Sequence, residues 1–336
     1  MNDPDPTEDK WRPRPDAKGK YFNDPLHEGI NCVRGQAAEA IGSLLFADLS
    51  RLSLLLPTVE RLVTDKTTAV RTCAIKSLVA MLNWPELHEV ALDLFKKCTQ
   101  SAESVIGTHW ADTFLHHTYR RYYSIVRECM QRALTSDYDK CVTAAATKVA
   151  LAGFTKDQTA RMDAERVRKG TPEMRRGAAD VYATNVNDPG VGEECKQFLP
   201  ALFNDDDPEV QKESSKCFDG MNGDQLRSVG PLIQTFASSK AFAVGSWSLV
   251  RALEHSTELL PDAVLAVVGR SVALLKAALP ERNYSGLEVD SCAKLILRLY
   301  QQSNDGNIRK KCLDIVDEME RMNCYGISSQ LANTER

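Results

Sequence analysis

The residues best suited to chemistry lie between Trp110 and Arg127, where Trp110, Phe114, Tyr119, Tyr122 and Tyr123 interleave with Arg120, Arg121 and Arg127. Aromatic faces alternating with guanidinium groups suit single-stranded nucleic acid, a phosphorylated group or an acidic peptide. On that reading Trp110, Tyr119, Arg120, Arg121, Tyr122, Tyr123 and Arg127 bind the partner. A second reading stands beside it: the aromatics pack between neighbouring helices while the arginines pair with Asp112 and Glu128. His109, His116 and His117 form a histidine cluster, with His109 and His116 about 20° apart around one helix and Cys129 as a candidate third ligand. Zinc takes three or four organised ligands. This spacing secures two, so helix-surface or interface histidines are expected and no metal is assigned. Asp205-Asp206-Asp207 lacks the alternating ligands and the glycine of a calcium loop, and reads as a turn and helix cap.

Signatures of catalysis are missing. Gly19-Lys20 lacks the earlier glycine of a phosphate loop, His27-Glu28 runs on to Asn31 rather than a second histidine, and neither a dinucleotide turn nor a Gly-x-Ser-x-Gly elbow occurs. The expectation is a non-enzymatic chain with no catalytic residues and no cofactor. A basic run from Arg161 to Arg176 is diluted by Asp163, Glu165 and Glu173, as on solvated helix faces. A net charge of −4 argues against wholesale nucleic-acid binding. The ten cysteines are scattered singly, with no Cys-x-x-Cys pair, and read as reduced core thiols in a cytoplasmic protein. Met1 to Lys10 has no basic region leading into an apolar run, so no signal peptide is expected. Leu259 to Leu279 is interrupted by Asp262, Arg270 and Lys276, short of the roughly 20 apolar residues of a membrane helix. Asn283-Tyr284-Ser285 is a chance glycosylation triplet in such a chain.

The elements that must position these residues are amphipathic helices. At 336 residues and 43% hydrophobic, the chain exceeds one compact core and calls for several domains or a repeat array. Residues 1–28, with five prolines and many charges, read as a flexible leader. Beyond them, Leu87, Val90, Ala91, Leu94, Phe95 and Cys98 make one helical stripe, with Glu89, Asp93, Lys96 and Lys97 facing away. Period-two alternation bounded by hairpin signals is not found, which makes the fold all-α. One phrase recurs. From Val33, Val70, Met174, Val210 and Ile308, the residue four further on is small (Ala37, Ala74, Ala178, Ser214, Cys312) and the residue eight further on is mostly large (Ile41, Leu78, Tyr182, Phe218, Val316). Directly after each lead residue comes Arg34, Arg71, Arg175, Gln211 or Arg309, expected to bond acids or carbonyls of neighbouring units. Intervals of 37 and 36 residues, and gaps of 104 and 98 holding about three periods each, fit a repeat of about 35. Weaker copies fall at Tyr138 to Leu151 and Ala241 to Leu253. Thr171-Pro172-Glu173 and Asp207-Pro208-Glu209 supply helix starts.

The stretch from Asp65 through Val70-Arg71 and Ala74 to Leu78 resembles the second helix of a HEAT repeat, in the armadillo-like class. Asp205 to Phe218 departs in Gln211 and Ser214, and Lys169 replaces the aspartate before Met174. The resemblance implies a right-handed α-solenoid of roughly eight HEAT-like helix pairs over residues 29–323, followed by a tail at 324–336. Asp24 to Ala38 with Val70-Arg71-Thr72-Cys73 is also similar to helical-repeat sensor portions of large bacterial STAND-type NTPases. That likeness implies the sensing part of a bacterial defence assembly. The expected function is a cytoplasmic scaffold binding a protein or peptide through a concave surface, without membrane association. The alternative is nucleic-acid binding like that of HEAT-repeat DNA glycosylases, of whose tryptophan and aspartate set Trp110 and Asp112 are a fragment.

Overall fold

A computed structural model describes residues 24–278 and 289–322, all-α and without strands among them. The leader up to residue 23, the Asn283 triplet, Cys324 and the tail lie outside the described residues. The helices are α1 (Pro25–Ile30), α2 (Val33–Ala47), α3 (Leu52–Val63), α4 (Thr68–Met81), α5 (His88–Thr99), α6 (His109–Thr118), α7 (Tyr123–Ala133), α8 (Asp139–Gly153), α9 (Gln158–Arg168) and α10 (Pro172–Thr184). They continue as α11 (Gly192–Phe203), α12 (Pro208–Ser215), α13 (Gly223–Ser228), α14 (Gly230–Ala237), α15 (Phe242–His255), α16 (Pro261–Ala278), α17 (Val289–Gln302) and α18 (Gly306–Arg321). The chain forms two compact units, Met1–Ala178 (unit 1) and Ala179–Arg336 (unit 2).

Short polar caps start the helices. Asp24, Asp157, Asp207 and Asp305 each accept a hydrogen bond from a backbone N–H of the first turn, and Pro25 and Pro208 occupy first helical positions. The Asp205–Asp207 stretch is thus a turn and cap. The polar residue after the lead apolar one has a defined task. Arg71, Arg161, Arg175 and Gln211 all sit at the fourth helical position, and each donates to a main-chain carbonyl five or six residues back: Asp65, Thr155, Gly170 and Asp205. Each side chain thereby ties the turn that feeds its own helix back to that helix's first turns.

In unit 1, alternate helices stack in two rows. α2, α4, α6 and α8 follow one another in one row, and α3, α5 and α7 in the other. α9 packs on α8, and the first half of α10 lies against α8, where a β-carbon on Gly177 would come 2.6 Å from the Thr143 carbonyl oxygen. α4 is enclosed by α1, α2, α3, α5 and α6, and only Arg71 and Lys76 of its fourteen residues escape full burial. In unit 2 the rows are α12, α15, α17 and α11, α14, α16, α18. Phe203, Phe218, Phe236 and Phe242 form its aromatic core, with ring centroids 4.9–5.6 Å apart between Phe236 and each of the others.

Three expectations shift. Helix α1 begins inside the stretch read as leader, because Asp24-Pro25 is itself a cap and first-turn pair. In α2 the phrase moves by one residue: Val33 is 67% exposed, and Arg34, Gly35, Ala38, Ile41, Gly42 and Leu45 are the buried set. Arg34 is therefore not the counterpart of Arg71, and it binds the Asp65 carboxylate at 2.8 and 3.0 Å. In α5, Val90 is exposed and Leu92 is buried, since α3, α4 and α7 all contact this helix and widen its buried arc.

Candidate partner-binding face

Three helices of unit 1 are stitched together by one carboxylate. Glu39 on α2 accepts from Lys76 Nζ on α4 at 2.8 Å and from Trp110 Nε1 on α6 at 2.7 Å. The Lys76 ammonium also donates to Ser43 Oγ and stands 5.2 Å from the centroid of the Trp110 ring. Along the same row, the buried Lys148 on α8 pairs with Asp112 on α6 at 2.7 Å, and Arg176 on α10 donates to Thr143 Oγ1 on α8 at 2.8 Å. Each junction in this row therefore carries a charged or hydrogen-bonded link. Desolvation, followed by the charge of Lys148, holds the His116 imidazole below its ordinary pKa.

Beside these links lies a groove of about 830 Å³ bordered by His109, Asp112, Tyr138, Lys140, Thr143 and Arg176, with Asp24 at its edge paired to Lys140 at 2.9 Å. Its border carries both donors and acceptors. Among the described residues, no group of three or more His, Cys, Asp or Glu side chains is placed to hold a metal ion. The nine described cysteines are free and buried. Burial pushes the thiols of Cys98, Cys141 and Cys195 up to about 12, far from nucleophilic use at neutral pH.

The segment singled out in the sequence does not form one surface. Trp110, half-buried, belongs to the Glu39–Lys76 link. Tyr119 and Tyr123 are each 3% exposed. Tyr122 shares a hydrogen bond of 2.8 Å with His88 Nδ1. Tyr123 donates to the buried Asp163 carboxylate of α9 at 2.9 Å, and Arg127 clasps the same carboxylate with Nε and Nη2 at 2.6 and 3.1 Å. Arg120 and Arg121 are exposed and lie over the rings of Tyr119 and Tyr122 at 5.6 and 5.3 Å. The expected acid partners also differ: Glu128 takes Arg132, four residues on, and Asp112 takes Lys148. Sequence reasoning passed over Glu39, Lys76 and Lys148, and read Arg176 as part of a diluted basic run on a solvated helix face, whereas it is half-buried and bonds Thr143. Lys76 and Lys148 carried a readable signal, each being a cation set among small and apolar residues in the interior of its helix.

No protein-family model matches the chain, and no curated protein matches it. Among solved structures it is similar to the crystal structure of an engineered protein, at 14% identity over 88% of each chain with a TM-score of 0.34.

Proposed function

We propose that the helix rows are HEAT-like repeats, roughly eight pairs in right-handed succession, and that the chain is a non-enzymatic cytoplasmic scaffold. It binds a protein or peptide along the α2, α4, α6, α8 row and the groove beside it. The supporting observation is the linked polar row itself. Its charges are fixed by neighbouring helices before any partner arrives, so little side-chain ordering remains to be done on binding. Service as the sensing portion of a larger bacterial assembly is compatible with this reading. Nucleic acid is the less favoured partner, because Lys76, Lys148, Arg127 and Lys140 are each neutralised by a carboxylate and offer little charge to phosphates.

In-cell photocrosslinking tests the reading. With p-benzoylphenylalanine in place of Ala144 in the groove, discrete protein adducts are expected, weakened by Arg176→Glu. The same probe in place of Lys96 on α5 is expected to give none. A groove probe that captures no macromolecule, or captures only nucleic acid, overturns the proposal.

A further inference from the structure

In unit 2, helix α15 turns an apolar row outward. Val244 and Trp247 are 47% and 49% exposed one turn apart, and Arg251 and His255 continue the same face four and eight residues beyond Trp247. The Arg251 guanidinium stands 5.0 Å from the centroid of the indole. Trp247, Ser248, Arg251 and His255 border a depression of about 470 Å³, with the turn from Asp219 to Met221 as another wall and the buried Met221 and Ala252 beneath. At Gly220 in that turn no side chain narrows the opening.

Two features select an occupant. An indole half in water beside a second apolar side chain is the composition of an interface anchor, and Trp and Arg dominate the residues that carry binding energy. The charge is equally directional. Nearby cations of unit 2 already hold carboxylates, Lys294 with Glu254 and Arg227 with Glu258. Arg251 forms no ion pair among the described residues. Among the described residues, Asp219 is the one carboxylate bordering the depression, against Arg251 and a histidine. The site thus presents an apolar floor with an unneutralised guanidinium at its rim.

We propose that this depression docks an extended acidic segment of a partner protein, with an aromatic or branched aliphatic side chain laid against Trp247 and a carboxylate on Arg251. The inference rests on the reading of the chain as a partner-binding scaffold and adds the chemistry of what it takes. The test is fluorescence anisotropy on the intact chain with three labelled probes: the peptide Gly-Asp-Phe-Asp-Leu-Asp-Gly, its lysine counterpart Gly-Lys-Phe-Lys-Leu-Lys-Gly, and an oligo-dT strand. The acidic peptide is expected to bind and the basic one not. Trp247→Ala and Arg251→Glu are each expected to weaken binding at least about tenfold, while Arg251→Lys keeps most of it and Lys96→Glu on α5 in unit 1 changes nothing. Circular dichroism confirms that each variant keeps its helices. Equal binding of both peptides, no peptide binding, or variants that bind like the parent chain overturn the inference. Oligo-dT binding that Arg251→Glu abolishes also overturns it, in favour of nucleic acid. Crosslinks at Ala144 without acidic-peptide binding sink this inference and leave the scaffold reading standing.

Discussion

Asp163 shows how a single side chain can decide whether a segment is surface or core. It is 1% exposed, yet it anchors the Tyr123 hydroxyl and the Arg127 guanidinium, so two residues suited to ligand binding are consumed within the fold. Burial, and then the bond to Asp163, push the Tyr123 phenol above its usual range, which keeps it a donor at every working pH. Tyr123→Phe removes one donor from a buried carboxylate and is expected to lower stability by about 1–3 kcal/mol. Asp163→Ala strands the partners and is expected to cost about 3–5 kcal/mol. Urea denaturation measures both, and a Tyr123→Phe chain as stable as the parent would show that the arginines alone satisfy the carboxylate. The buried thiols set a pH window. Their folded pKa values are raised above the ordinary 9.0, to about 12 for Cys98, Cys141 and Cys195. Their contribution to stability is therefore fully present below about pH 9 and is lost progressively from there to about pH 12 as the unfolded chain ionises first. Urea midpoints are expected to fall over that range, and native thiols to resist iodoacetamide at pH 8 until the chain is unfolded.

Helices α4 and α5 carry the element-scale test, because one is enclosed and the other has an outer face. Ala74 on α4 is 1% exposed among five neighbouring helices, and Ala74→Leu is expected to overpack that junction by about 1–3 kcal/mol. Lys96→Ala on α5 is expected to stay within about 0.5 kcal/mol. Thermal melts compare the two, and similar shifts would mean that the buried faces are wrongly assigned. These elements were legible in the sequence because caps and apolar spacing are local: Asp207-Pro208 starts a helix, Ala91, Leu94, Phe95 and Cys98 of the stripe are buried on α5, and the small residue at Ala74, Ala178 and Ser214 falls in a helix as read. The errors were local as well. Val33 is apolar but sits at the exposed first position of α2, so it drew the repeat alignment one residue out of register. The polar row was not legible, since Glu39 meets Lys76 and Trp110 from 37 and 71 residues away, and helical period says nothing about which helices become neighbours. Asp163, 36 residues beyond Arg127, was hidden for the same reason.

On the scale of the whole chain, packing is short-range in sequence: within each unit a helix touches its immediate neighbours and helices two or three positions on. Stability in such an arrangement is close to a sum of nearest-neighbour terms, so a part of the chain should keep its structure if no helix is cut. The division between the compact units falls at Ala178, inside α10 rather than in a linker. Cutting there leaves residues 172–178, two turns that are too short to hold helix without packing. Those turns carry Gly177, seated against Thr143, and Arg176, which walls the unit 1 groove. A fragment of residues 1–187 keeps α10 whole and is expected to melt cooperatively with a helical circular dichroism spectrum. A fragment of residues 1–178 is expected to melt lower, by ~2–4 °C for each kcal/mol of α10 packing lost, and to lose the Arg176 edge of the groove. If the longer fragment is unfolded while the full chain is stable, nearest-neighbour packing is not what holds unit 1 together. Matching melts for the two fragments would instead mean that the second half of α10 contributes nothing to unit 1.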